Sequence, residues 1–117
     1  MGKPHEQLEV WKSAMQLVKS IYDVTAVFPA DERFCLTQQM RRAAVSVPSN
    51  IAEGAAKNGA REYFHFIGIS RGSISELETQ MQIAVMLGFI DSNHPVFGLA
   101  DRTGKLLTGL HKKWSNA

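Results

Sequence analysis

The chain has 117 residues, of which 44% are hydrophobic and 21% charged, as in ordinary globular proteins. This length predicts one domain spanning residues 1–117, and the net charge of +2 does not by itself imply a polyanionic partner. The only cysteine, Cys35, excludes an internal disulfide and favours a reducing compartment. The first residues lack the apolar run of a secretory signal, and no apolar run nears the roughly 18 residues that span a bilayer. We therefore expect a cytoplasmic protein without a membrane partner.

The first predicted helix covers residues 4–28. Pro4 suits a first helical turn, and Pro29 disfavours helix at the residue before it. Apolar residues recur at intervals of three and four, as on one face of a helix. The predicted core stripe of this helix is Leu8, Trp11, Met15, Val18 and Tyr22.

The second predicted helix begins after Asp31 as N-cap and stops at Asn58-Gly59. Its predicted core stripe is Leu36, Met40, Ala43, Val47 and Ile51. Pro48 lies inside it and removes one backbone hydrogen bond, so we expect a single helix kinked at Pro48. The alternative is a break at residues 46–49 and a restart with Asn50 as cap and Glu53 as its capping-box partner.

The third predicted helix covers residues 60–87 and ends at Gly88, and the fourth follows Ser92 or Asn93 as cap with Pro95 in its first turn. The predicted core stripe of the third helix is Tyr63, Ile67, Ser70, Ile74, Leu77, Met81 and Ala84 or Val85. That of the fourth is Val96, Leu99, Thr103, Leu106, Leu110 and Trp114. The sequence shows no strand pattern. Short connections between amphipathic helices predict an all-α, antiparallel up-down-up-down four-helix bundle.

Small and apolar residues also occupy the side opposite the core on the second and third helices. A glycine inside a helix costs up to about 1 kcal/mol relative to alanine, which close approach by another helix would offset. We expect a subunit interface there; the alternative is that these residues are tolerated on a solvated face. The predicted interface is Val45, Pro48, Ala52, Ala56, Gly68, Gly72, Ser75 and Thr79.

A polar stripe flanks the core of the second helix and faces a similar flank of the third. We expect Arg42 to meet Glu76 or Glu53, and Asn50 to bond across helices, because buried polar groups need partners. The alternative is a recognition site for a ligand or a nucleic-acid group. The predicted network is Gln39, Arg42, Ser46, Asn50, Glu53, Ser73 and Glu76.

The sequence predicts no catalytic, cofactor or metal site, and therefore no enzyme and no small-molecule substrate. Glu62 and His65 form one Glu-x-x-His pair, whereas di-iron bundles need two pairs and further glutamates. Cys35 is expected to be a buried, unreactive thiol. No glycine-rich loop of the phosphate-binding kind is present.

Basic residues concentrate on the second helix, its flanks, and the outer side of the fourth. Such a stripe can neutralise phosphates, although solvated lysines on an exposed face explain it equally well. The candidate phosphate contacts are Arg41, Arg42, Lys57, Arg61, Arg102, Lys105, Lys112 and Lys113.

The segments LTQQMRRAAVSVPSNIAEG and EYFHFIGISRGSISELETQMQIAVMLGFI, with the opening VWKSAMQLVKSIY, resemble the four-helix-bundle proteins encoded in intervening sequences of 23S ribosomal RNA genes. The resemblance covers residues 8–113 and is weakest in the fourth helix. It implies a short up-and-down bundle assembling as a homopentamer. Relatives by fold include the accessory variability proteins of diversity-generating retroelements, similar pentamers whose basic surfaces bind nucleic acid and a reverse transcriptase.

We therefore expect a non-enzymatic homo-oligomer, a pentamer by this resemblance, with RNA as the candidate partner. The alternative is a protein-interaction scaffold or adaptor that binds no nucleic acid.

Overall fold

The computed structural model describes residues 3–116, and these form an all-α protein with four long helices, as predicted. The helices are α1 (Glu9–Thr25), α2 (Leu36–Ala56), α3 (Ala60–Met86) and α4 (Pro95–Lys113). Single turns of 3₁₀ helix precede α1 at Pro4–Gln7 and α2 at Ala30–Glu32. No strand occurs in this part of the chain, and none of its helices is long and apolar enough to cross a bilayer.

Each long helix packs against two others, and α2 and α3 share the largest contact. Between α2 and α3, the Ser46 hydroxyl meets Ser73, and the hydroxyl of the buried Ser70 donates to the carbonyl of Val47 at 2.8 Å. Residue numbers therefore rise along one helix as they fall along the other. Between α1 and α4, the buried hydroxyls of Ser13 and Thr103 lie 2.6 Å apart.

The buried face of α1 differs from the predicted one. Met15 and Tyr22 are 45% and 41% exposed, and the other three residues of that stripe are only half-buried. The apolar residues that α1 buries are instead Val10, Ala14, Leu17, Ile21 and Val24. Two apolar stripes at helical spacing run along this helix about 120° apart, and helical periodicity does not state which one faces the neighbours.

Helix α2 runs through Pro48 without interruption, so the single-helix interpretation is confirmed and the break with a restart at Asn50 is wrong. All five residues of its predicted core stripe are buried. Its start differs from the prediction, because Asp31 lies in the preceding 3₁₀ turn. The Glu32 carboxylate accepts from the first helical N–H, that of Leu36, at 3.1 Å.

In the connection from α3 to α4, the end of α3 at Gly88 was predicted, whereas the residue that caps α4 was not. Gly88 has φ 82°, a conformation that favours glycine, and the N–H of Phe89 donates to Ala84 O at 2.8 Å, the bond of a Schellman cap. Neither Ser92 nor Asn93 caps α4. His94 does so, with its Nδ1 accepting from the N–H of Val96 at 3.0 Å, and Pro95 occupies the first helical position.

Candidate nucleic-acid interface

One end of the molecule gathers segments that are distant in sequence. The Tyr63 ring near the start of α3 meets the Trp114 ring just after α4, with centroids 5.1 Å apart at 84°. The 3₁₀ turn at Pro4–Gln7 and the α2–α3 connection share a pocket with these two rings. Lys57 and Arg61 flank that connection, and the last turn of α4 carries two lysines. We call this region the basic end; its cations are Lys57, Arg61, Lys112 and Lys113.

All four cations of the basic end are exposed. Lys57 extends over the ring of Phe66, with its ammonium nitrogen 5.8 Å from the ring centroid. Their side chains make no ion pair among the residues that the structure describes, so each can meet an anion from outside. The carboxylates of Glu53 and Glu62 lie in neighbouring turns of α2 and α3 and reduce the excess of positive charge.

Three of the other candidate phosphate contacts already have partners within the chain. The Arg41 guanidinium donates to the hydroxyl of Thr25 at 2.8 Å and stacks over the Tyr22 ring at 4.4 Å, so Arg41 fastens α2 to α1. Arg102 pairs with Glu9 at 3.1 Å on the exposed α1–α4 surface. Lys105 pairs with Asp101 at 3.0 Å. Arg42 alone among the α2 candidates is exposed and makes no ion pair in the described region.

The structure brings together part of the predicted polar network. The hydroxyls of Ser46 and Ser73 lie 2.7 Å apart, and the Asn50 amide donates to the Ser46 carbonyl at 2.8 Å and to its hydroxyl at 3.0 Å. Asn50 therefore bonds within α2, whereas a bond across helices was expected. The hydrogen bond between α2 and α3 is made by Ser46.

The remaining predicted members lie outside this cluster. Glu76 accepts from the Gln80 amide at 3.3 Å within α3. Gln39, Arg42 and Glu53 are exposed, and their side chains form no hydrogen bond to other described residues. The expected pairing of Arg42 with Glu76 or Glu53 is absent from the three ion pairs of residues 3–116. The side chain of Arg42 is exposed and lines a groove with Phe34 and Val45, where no carboxylate is present among the described residues to pair with it.

The predicted interface residues fall into two groups. Pro48 is buried within the chain, so it cannot contribute to an outer surface. Gly68 lies beside α4, where a Cβ atom would be 3.5 Å from His111 Nε2. The residues at least partly open to solvent are Val45, Ala52, Ala56, Gly68, Gly72, Ser75 and Thr79.

Large apolar side chains are exposed in two regions that helical periodicity predicted only in part. The α1–α2 face contains Met15, Tyr22, Phe34 and Val45, of which Phe34 is 77% exposed. The α3 face contains Ile69, Ile83, Met86 and Leu87, of which Met86 is 77% exposed. Arg42 adjoins the first face in a groove with Phe34 and Val45, and Glu76 shares the second face by its helical spacing from Ile69 and Ile83.

Small residues open a groove of about 540 Å³ between α3 and α4. Gly68, Gly72 and Ser75 line one wall, and Gly104 of α4 lies on the other. Glu78 also lines the groove. Its pKa is raised mainly by burial and to a lesser extent by the Asp101 carboxylate. This groove is the physical consequence of the glycine and serine stripe on α3, because no side chain fills the space beside it.

At one end of this groove His111 connects α4 to α3. Its ring stacks on Phe64 with centroids 4.1 Å apart, and Arg71 donates to its Nδ1 at 3.1 Å. Burial, and secondarily the Arg71 charge, lower the pKa of His111. The fold therefore favours the neutral ring, with its proton on Nε2.

The residues considered for metal or thiol chemistry are dispersed. Glu62 and His65 are both exposed, and no three His, Cys, Asp or Glu side chains converge within residues 3–116. Cys35 is exposed at the start of α2, contrary to the expected burial, because the 3₁₀ turn before α2 carries it out of the core.

The four packed helices define a small helical protein of the bundle class, with the basic end at one extremity. A family model described as "23S rRNA-intervening sequence protein" matches residues 6–109. The chain therefore belongs to the 23S rRNA-intervening sequence protein family, which confirms the resemblance. No curated protein matches the chain.

Proposed function

We propose that the protein is a non-enzymatic homo-oligomer of helical bundles that associates with RNA in the cytoplasm. The observation that carries this proposal is the exposure of large apolar side chains on two different faces, the α1–α2 face and the α3 face. Exposed apolar patches of this kind are typical of interaction surfaces in soluble proteins. The exposed thiol of Cys35 is compatible with a reducing compartment.

Charge favours contact between unlike faces. Arg42 adjoins the α1–α2 face and Glu76 lies on the α3 face, so their opposite charges attract when the first face of one copy meets the second face of the next. A contact between unlike faces is heterologous and generates a ring when its rotation closes. The proposed ring is a pentamer, the assembly that the family resemblance implies.

The mass of the native particle tests the oligomer. We expect a mass several times the 13.0 kDa of one chain by native mass spectrometry or sedimentation. Arg42→Glu and Glu76→Arg should each reduce the mass, and the double variant should restore it, because the charge pair is re-formed with its order reversed. The control is Lys12→Glu, which makes the same charge change on the exposed polar side of α1. A monomer at micromolar concentration in the wild type contradicts the proposal.

The proposed RNA association is supported by the basic end, whose four cations have no ion-pair partners in the described region. A closed ring would repeat this end once per subunit and enlarge the positive field. Binding through phosphates weakens as salt rises. On single strands the logarithm of the association constant falls by about 0.7 per neutralised phosphate for each tenfold rise in salt concentration. Fluorescence anisotropy with labelled RNA at several salt concentrations measures this slope. Absence of binding at low salt would favour the alternative, a protein-interaction scaffold without nucleic-acid affinity.

A further inference from the structure

A pocket of about 400 Å³ opens at the basic end. We call it the end pocket; its main lining residues are His5, Leu8, Lys57, Tyr63 and Trp114. Tyr63 lies near the start of α3 and Trp114 directly after the end of α4, and Lys57 comes from the turn that follows α2. The residues that line the pocket include Lys57 and His5 but no carboxylate.

The walls of the end pocket are held by close packing. Gly54 lets α2 approach α3, since a Cβ atom there would lie 2.8 Å from Phe66 Cβ and 3.2 Å from Tyr63 Cδ1. Gly59 has φ 122° and turns the chain sharply into α3. Tyr63 is half-buried and in edge contact with Trp114, so both rings are positioned before any ligand arrives.

This combination selects a flat, apolar group that carries an anion. Aromatic side chains next to lysines are the elements with which proteins hold unpaired nucleotides, the rings contacting the base and the cations the backbone. The pocket is a shallow depression, open to solvent. Lys57 stands at its edge, and Lys112 and Lys113 directly precede Trp114.

We propose that the end pocket receives an unpaired base of an RNA strand, with Tyr63 and Trp114 contacting the base and Lys57 the adjoining phosphate. This inference rests on the proposed RNA association. It adds where on the protein the RNA binds and that single strands are preferred. None of the large apolar residues assigned to subunit contact on the α1–α2 face and the α3 face lines the end pocket.

The test compares three labelled probes of equal length with the full chain: a single-stranded RNA, the same sugar–phosphate strand without bases, and an RNA duplex. We expect the single strand to bind about tenfold more tightly than the strand without bases, the usual effect of one base stacked on an aromatic side chain. Binding of the duplex should not depend on Trp114, because its bases are stacked and paired and only its phosphates meet the protein.

Variants assign the effect to the pocket. Trp114→Leu should remove the difference between the single strand and the strand without bases, and Lys57→Gln should weaken binding to both. Lys19→Gln is the matched control, because it removes an exposed lysine charge on α1 that is paired with Asp23 and distant from the basic end. Circular dichroism and melting of each variant verify that it folds; if Trp114→Leu fails this check, Trp114→Phe provides a milder loss of ring area with the same expected direction.

Each outcome decides a different point. Equal binding of strands with and without bases, or a difference that survives in Trp114→Leu, overturns the end pocket while leaving RNA association intact. Absence of any binding at low salt overturns both proposals. Uridine or adenosine 5′-monophosphate that competes as strongly as the single strand shows that a free nucleotide suffices, which overturns RNA as the ligand.

Discussion

Gly54 and His111 show how single residues control the contacts of α3. Gly54 permits close approach of α2, and His111 holds the last turns of α4 against Phe64 and Arg71. The first effect depends on the absence of a side chain, and the second depends on the protonation of a ring. Both lead to predictions that a stability measurement can check.

Gly54→Ala should destabilise the protein by about 1–3 kcal/mol, the usual cost of overpacking, because the new Cβ meets Phe66 Cβ at 2.8 Å. Equilibrium unfolding in urea measures the change. Gly109→Ala is the control, since this glycine lies within α4 with nothing within 4 Å of an added Cβ. It should stabilise by up to about 1 kcal/mol through helix propensity. Equal effects at the two positions would contradict the close contact.

Stability should fall as the pH drops through the titration range of His111. Its pKa in the fold lies below the ordinary value of 6.5, so the unfolded chain binds the proton more readily. The contribution of His111 is therefore complete above about pH 6.5 and is lost as pH falls through the lowered pKa. Protonation also places a cation beside Arg71.

Urea unfolding between about pH 7.5 and pH 5.5 tests this titration. His111→Phe keeps an aromatic ring against Phe64 but cannot titrate, so its stability should change less over that range than the wild type. His65→Phe is the control because His65 is exposed. Parallel pH profiles of His111→Phe and the wild type would show that His111 does not cause the change.

At the scale of helices, polar contacts between buried hydroxyls link neighbouring elements inside an otherwise apolar core. Ser13 of α1 and Thr103 of α4 are 4% and 0% exposed, and their hydroxyl oxygens lie 2.6 Å apart. Thr103 also donates to the carbonyl of Leu99 at 2.8 Å. Such a pair specifies the relative position of α1 and α4 along their length, since sliding either helix separates the two groups.

Thr103→Val should cost about 1–3 kcal/mol, because it leaves the buried Ser13 hydroxyl without its partner. Adding Ser13→Ala should recover part of that loss, since removal of both polar groups leaves none unsatisfied. The two single variants and the double variant form a thermodynamic cycle measured by urea unfolding. Strict additivity would show that the hydroxyls do not interact. Ser49→Ala, on the exposed side of α2, is a control expected to change stability by less than about 0.5 kcal/mol.

At the scale of the whole molecule, apolar surface and charge are divided among different regions. The sides expose the α1–α2 face and the α3 face, while one end carries the four cations of the basic end and the end pocket. Assembly along the sides and nucleic-acid contact at the end are therefore compatible in one particle. Burial of Met15, Phe34 and Met86 between subunits would link folding to association.

The melting temperature should accordingly rise with protein concentration, because a partner that binds only the folded chain stabilises it by mass action. Scans over a hundredfold range of concentration measure the rise. Val45→Glu places a charge on the α1–α2 face and should lower the melting temperature and abolish its concentration dependence. Lys12→Glu, on the polar side of α1, should preserve that dependence. A melting temperature independent of concentration in the wild type would contradict obligate assembly.

Local sequence signals determined the number and class of the helices, the core stripe of α2, the end of α3 at Gly88 and the family. These depend on helical spacing, on backbone preferences of individual residues and on motif identity, all readable within a short segment. Gly72, Ser75 and Thr79, predicted on the side of α3 opposite its core, are exposed, and the first two line the groove beside α4. A second apolar stripe on α1 was also present as a signal, in Val10, Ala14, Leu17, Ile21 and Val24.

Only the tertiary structure decided which α1 stripe is buried, because that choice depends on where α2 and α4 lie around the helix. It also separated Arg41, engaged by Thr25 and Tyr22, from the adjacent and exposed Arg42. The end pocket had no sequence signature, since Tyr63 and Trp114 are far apart in the chain and meet only when α3 and α4 pack side by side. Spacing within a helix specifies a direction around its axis, whereas a site built from several helices requires their relative positions.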